Sequence, residues 1–139
     1  MKLLTSLSLV SALVLATACN TMSSTASAPA QSVSFISPAD GAVVTSPFVV
    51  KFGVTGMAVQ PAGTMLPDTG HHHLLINADD IATMATIPAD AQHMHFGKGQ
   101  TETTLDLKPG KYKLTMQFGN GLHQAYGPAM SKSINVTVQ

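Results

Sequence analysis

Thr101-Glu102-Thr103-Thr104-Leu105-Asp106-Leu107, followed by Lys108-Pro109-Gly110 and then Lys111-Tyr112-Lys113-Leu114-Thr115-Met116-Gln117-Phe118, is the stretch that decides the fold class. Residues two apart on an extended chain share a face. Thr103, Leu105 and Leu107 therefore lie on one side of the first run, and Glu102, Thr104 and Asp106 on the other. In the second run Tyr112, Leu114, Met116 and Phe118 share a side. Between the runs Pro fixes φ and Gly accepts a positive one, the chemistry of a turn.

The same reading extends in both directions. Val33 to Ile36 alternates and meets the turn residues Ser37-Pro38-Ala39-Asp40-Gly41, and Phe48 to Val54 alternates around Lys51 before Gly56. Gly70 to Asn77, His93 to Phe96, and Met130 or Ser131 to Val138 complete the set. Only Ala78 to Gln92 suggests a helical turn, with Ile81 and Met84 on one face and Pro88 ending it. About seven short strands with turn signals between them predict an all-β protein, a small immunoglobulin-like antiparallel β-sandwich. Its expected core is Phe35, Phe52, Leu74, Ile76, Phe96, Leu105, Leu107, Leu114, Met116, Phe118, Val136 and Val138.

The N-terminus has a different organisation. One positive charge at Lys2 precedes an apolar run from Leu7 to Ala18 broken by Ser8, Ser11 and Thr17. That is the pattern of a secretory signal, and the run is shorter than the roughly 20 apolar residues a permanent span needs. The one cysteine, Cys19, directly follows Leu15-Ala16-Thr17-Ala18. This arrangement resembles the lipobox of bacterial lipoproteins, which implies cleavage before Cys19 and acylation of its sulfur. An ordinary cut after Ala16-Thr17-Ala18 with an incidental cysteine is the alternative. Asn20, where an Asp would favour retention at the inner membrane, implies by the same resemblance an outer-membrane destination. From Asn20 to Ser32 the chain turns to Ser, Thr and Ala with one Pro and no charge, the composition of a flexible tether. The expected organisation is a signal over 1–18, a tether over 19–32 and one domain over 33–139, exported and facing the periplasm.

Composition excludes several function classes. Seven basic residues, all of them lysine, balance seven acidic ones, and only 10% of the chain is charged. A near-neutral domain without the guanidinium fork is a poor nucleic-acid or phosphate binder, so no nucleic-acid partner is expected. No nucleophile elbow, phosphate loop or cysteine nucleophile stands in the mature region, and an enzyme is not expected.

Histidine is the chemical signal. Five of the six histidines fall in His71-His72-His73 and His93-Met94-His95. Alternation places His72 with Leu74 and Ile76, facing the core, where a hydrogen bond should satisfy it. His71, His73, His93 and His95 face the other way and converge if the two strands are neighbours. Neutral imidazoles in paired His-x-His motifs suit Cu²⁺ or Zn²⁺. The competing reading is a polar layer of structural histidines beneath the loop from Ala78 to Gln92. Gln100 and Glu102 share a strand face near His95, so Glu102 is either an additional ligand, an orienter of an imidazole, or a solvated edge residue. Met116 alternates with core residues, Met94 opposes its flanking histidines, and Met57, Met65, Met84 and Met130 lie in or near turns, where methionine is adaptable filler.

Thr69-Gly70-His71-His72-His73-Leu74-Leu75-Ile76 and His93-Met94-His95-Phe96-Gly97-Lys98-Gly99-Gln100-Thr101-Glu102 resemble the bacterial family called domain of unknown function 4399. Phe35-Ile36-Ser37-Pro38, Pro61-Ala62-Gly63, Ile87-Pro88-Ala89-Asp90 and Pro109-Gly110-Lys111 extend the likeness over nearly all of Val33 to Gln139. The resemblance implies a compact exported domain and directs attention to the two histidine clusters and Gly99-Gln100-Thr101-Glu102, without supplying a biochemical activity. Two readings stand at this point. One is a lipoprotein domain that binds copper or zinc for carriage or storage. The other is a non-catalytic sandwich module of the cell envelope that binds a protein partner and whose histidines are structural.

Overall fold

The computed structural model describes residues 29–139 and forms nine strands there; Cys19 and the expected signal lie outside the described residues. In chain order they are β1 (Ser32–Ser37), β2 (Ala42–Val44), β3 (Phe48–Thr55), β4 (Ala58–Val59), β5 (Thr69–Ile76), β6 (His93–His95), β7 (Glu102–Leu105), β8 (Gly110–Gly119) and β9 (Ser131–Val138). A short 3₁₀ turn, Pro128–Met130, leads into β9. One sheet has the order β1-β3-β7, the other β2-β9-β8-β5-β4, with β6 also pairing with β5.

The seven strands expected from alternation all form, and β2 and β4 are additions. At three and two residues they are too short to show a period of two. Both pair in parallel, β2 with β9 and β4 with β5, so the sandwich is mixed at the margins of its larger sheet rather than purely antiparallel. Such short outer strands leave little unpaired backbone for another chain to join.

The core forms where the inner faces meet. On β3, Phe48, Val50 and Phe52 are buried and the residues between them point outward. Phe52 lies opposite Phe35 on β1, and Phe48 opposite Leu105 on β7. Leu74, Leu114, Met116, Phe118, Val136 and Val138 complete it from the larger sheet, while Phe35, Ile76 and Leu107 are only partly buried against it. Val33, Val50, Met130 and Ile134 also join it. Leu114 is fully buried, between Ile76 on β5 and Ile134 on β9. Leu114→Ala should lower the unfolding free energy by about 2 to 5 kcal/mol, measured by urea denaturation, because the surrounding strands cannot collapse onto the void.

The other face of the larger sheet is covered as well, and that positions the histidines. Thr115 and Gln117 of β8 are buried although they point away from Leu114 and Met116. The segment from Ala78 to Gln92 crosses this face, and the single helical turn expected around Ile81 and Met84 is not formed. Its backbone groups are taken by the chain after β8: Met84 N–H donates to Ala125 C=O, Ile87 N–H to His123 C=O, and Ala125 N–H to Ala85 C=O, at 2.8, 2.8 and 2.9 Å. Ile87 is thereby pressed into the sheet at 4% exposure. Gln117 fastens the cover from below. Its amide donates to Gly127 C=O and Met130 C=O, and its side-chain oxygen accepts from Ile81 N–H.

Candidate functional site

Strand pairing sets the first two histidines of the site. His73 lies opposite His95 in the β5–β6 register, and Leu75 opposite His93. His71 sits two residues before His73 on the same face, at the end of β5 that pairs with Gly119 of β8. His71 and His73 are buried at 0% and 1% exposure, His95 is exposed, and the strand pair thus descends from solvent to a closed floor. These histidines do face away from the sandwich core, but Ile87 and the turn after β8 cover the floor.

That turn supplies a residue the His-x-His pattern does not contain. His123 follows Gly119-Asn120-Gly121-Leu122 and adopts φ +63°, a left-handed conformation that is uncommon for a residue with a side chain. Asn120, 2% exposed, enforces it. Its side-chain oxygen accepts from Leu122 N–H and Gln124 N–H at 2.9 and 3.0 Å, and its amide donates to the Gln124 side chain at 3.0 Å. His123 Nε2 then meets His95 Nε2 at 2.9 Å, one ring donating and the other accepting. A loop braces both carriers, since Ala62 N–H donates to Gly97 C=O beyond His95 and Gly63 N–H donates to Gly121 C=O before His123.

His71, His95 and His123 each bring a ring nitrogen within 4.8 Å of the others. Nitrogens bound to one tetrahedral ion at Zn–N distances near 2.0–2.1 Å stand about 3.3 Å apart, so small side-chain rotations would close the three onto a single centre. Both ring nitrogens of His71 are buried without a hydrogen-bond partner. Buried polar atoms are rarely left that way. Burial first, and then the neighbouring imidazoles of His95, His123 and His72, push His71 down to about 4. Burial and His123 also lower His95. His71 and His95 are therefore neutral at pH 7, the state a metal ligand requires.

The family model described as Domain of unknown function (DUF4399) matches residues 50–139. The chain belongs to this family. No curated protein and no solved structure matches it. In the DUF4399 domain the long motif Thr69–Ile76 is β5, and the segment His93 to Glu102 runs from β6 across a turn into β7 of the opposite sheet.

The remaining residues singled out in the sequence go elsewhere. His93, on the same face as His95, is turned aside: its Nδ1 donates to Asp90 at 2.7 Å, which holds the Asp90 carboxyl below its usual range together with backbone donation from Gln92. The expected convergence of two His-x-His pairs is thus replaced by one histidine from each of β5, β6 and the turn after β8. Glu102 lies on β7 in the smaller sheet, exposed and 3.8 Å from Lys51, and so is a solvated strand residue rather than an orienter of His95. Gln100 accepts from Lys98 N–H in its own turn. His73 is the near neighbour of the three, with ring centroids 4.7 Å from His71 and 5.1 Å from His95, and is pushed down to about 3 by burial and then by His71, His95, His123 and His72. His72 does face the core, between Phe52 and Phe118 at 5.2 and 5.0 Å, but neither of its nitrogens has the hydrogen bond expected of it, and burial lowers it to about 4.

Two glycines of the DUF4399 domain make room for the rings. A Cβ on Gly97 would overlap Cε1 and Nε2 of His95, and one on Gly119 would stand 2.8 Å from Ile87 Cδ1 and 3.0 Å from His73 Cε1. His95 is exposed and can swing away, so Gly97→Ala should leave the thermal midpoint nearly unchanged while displacing His95 from the group. We expect it to weaken binding of Cu²⁺ or Zn²⁺ by roughly 10- to 100-fold, the range seen when the support of a ligand is removed. Isothermal titration and a melting curve on the same sample check both halves.

Proposed function

We propose that this domain binds one divalent transition-metal ion, copper or zinc, through His71, His95 and His123, and serves in carriage or storage rather than catalysis. The observation that carries the reading is the fully buried His71, whose two unpartnered ring nitrogens lie against two further imidazoles brought in from separate parts of the chain. A layer of purely structural histidines would be expected to satisfy its own nitrogens, and here His71, His72 and the Nδ1 of His73 are left without partners. Neutral imidazole is a good ligand for both ions, with copper favoured in raw affinity.

The test is titration of metal-free protein, prepared without a His-tag or chelating column, with Cu²⁺ and Zn²⁺ at about pH 7.5, where imidazole is mostly neutral. One ion bound per chain, more tightly than by an unrelated His-containing protein, is the expected result. Binding no tighter than the control would leave the histidines as packing groups of an envelope interaction module.

We further propose that Cys19 is acylated and holds the domain at the periplasmic side of the outer membrane. The Leu15-Ala16-Thr17-Ala18-Cys19 sequence at the end of the apolar run supports this, and several acyl chains anchor stably where one does not. Cys19→Ser should move the protein from the membrane fraction to the soluble periplasm or leave its signal uncleaved. Unchanged fractionation and migration would refute acylation.

A further inference from the structure

We infer that the three-histidine site is completed by a small anion from solution, bound to the metal as an additional ligand. The inference rests on the metal reading above, and three observations on the site carry it.

The first is that, among the described residues, no fourth donor joins the group. His73 is the nearest candidate, but its ring is stacked on His95 with 26° between the planes and centroids 5.1 Å apart. Imidazole lone pairs lie in the ring plane, so two stacked rings direct them side by side rather than toward one point. His73 is also walled in by Ile87 and Gly119, and no ring nitrogen of it joins the group formed by His71, His95 and His123.

The second is charge. An imidazole brings no negative charge to an ion it ligates, and among the described residues no carboxylate or thiolate stands with the three. The carboxylate nearest in sequence to β6, Asp90, is engaged by His93. A divalent ion held this way keeps its full double charge beside a floor with no exposure. Desolvated charge is costly unless it is paired, and attraction for an anion grows as the effective dielectric falls.

The third is access. Exposure rises from the buried His71 through the half-buried His123 to the exposed His95, so an ion held by the three would face solvent on the side opposite His71. The backbone of the loop Ala62–Gly63 is hydrogen-bonded to both carriers of the outer histidines, at 2.9 and 2.8 Å. The frame is therefore fixed, which favours a small ligand over a bulky one. Three protein ligands and one open position is the arrangement in which a bound ion exchanges its outer ligand.

The experiment is azide titration of the full mature protein loaded with one Cu²⁺, followed by visible absorption and electron paramagnetic resonance. The expected result is a new azide-to-copper charge-transfer band that saturates at one azide per ion, with three protein nitrogens retained. Azide should bind at least roughly tenfold tighter than it does to copper held by free imidazole in water, because the site is less solvated. Chloride should compete for the position and a neutral amine should compete poorly. A spectrum unchanged by azide, or four protein nitrogens on the copper before any addition, would overturn the inference. His73→Phe, which keeps a stacked ring, identifies the reason in that event, since azide binding that appears only in this variant makes His73 the fourth ligand. Failure of the protein to take up Cu²⁺ or Zn²⁺ at all is a different outcome and refutes the metal reading itself.

Discussion

His71→Ala, His95→Ala and His123→Ala should each reduce affinity for Cu²⁺ or Zn²⁺ by at least about 100-fold, beyond the range typical of losing a supporting residue. His93→Ala, Gln100→Ala and Glu102→Ala should leave it within about twofold, because none of these side chains contributes to the group. The two sets separate the observed geometry from the one that His-x-His spacing suggests. If the motifs themselves were the binding units, His93 would matter as much as His95, and His123 would not matter at all. Combining His95→Ala with His123→Ala should cost little more than either alone, since two residues acting on one ion are not additive. Titration calorimetry on each variant at a common pH measures these ratios. Equal losses from His93→Ala and His95→Ala, with none from His123→Ala, would show that the turn after β8 is not part of the site.

Acidification should unfold the metal-free domain, with the loss starting well above the range where carboxylates titrate. His71, His72 and His73 sit at about 4, 4 and 3 in the folded protein, against 6.5 when exposed, mainly because burial penalises the charged ring. Below 6.5 the unfolded chain takes up these protons and the folded chain does not, so unfolding is favoured as pH falls. The stability is present in full above about pH 6.5 and is lost as the pH falls toward 4. Each proton contributes a slope of about 1.4 kcal/mol per pH unit, so three give up to about 4 kcal/mol per unit. Against a typical total of about 5 to 15 kcal/mol, that suffices to unfold the domain by roughly pH 4 to 5. The urea midpoint followed from pH 7.5 to 4.5 checks the slope. His72→Leu, which places an apolar side chain between Phe52 and Phe118, should lower the slope by about one third and raise stability at about pH 5. A urea midpoint that stays flat from pH 7 to 5 would show that these rings accept protons without cost.

Much of the fold was legible in the sequence because alternation is a local signal. Leu105 and Leu107, Leu114 to Phe118, and Val136 and Val138 declare a buried face within a few residues of themselves, and Pro109-Gly110 declares the turn between two of the runs. The same signal assigns His72 to the core and His71 and His73 to the opposite face. It is silent on β2 and β4, which exist because β9 and β5 offer free backbone groups to segments of two or three residues, and it misreads Ile81 to Met84, where the Gln117 side chain takes the N–H of Ile81 and Ala125 C=O that of Met84. It also cannot see His123, a single histidine in a turn, whose position is set by the buried amide of Asn120 and whose partner lies 28 residues away at His95.

By itself, then, the sequence determined the all-β class, the main strands and their inner faces, and that histidine is the residue with chemistry to explain. The tertiary structure decided which histidines meet. Period-two spacing says only that two rings share a face of a strand. Whether they reach a common point depends on the β5–β6 register, on Asp90 drawing His93 aside, on Ile87 and the crossing loop closing the floor over His71 and His73, and on the turn that carries His123 back to them. Each of these is a contact between distant segments, and the information is in the packing rather than in any one stretch of the chain.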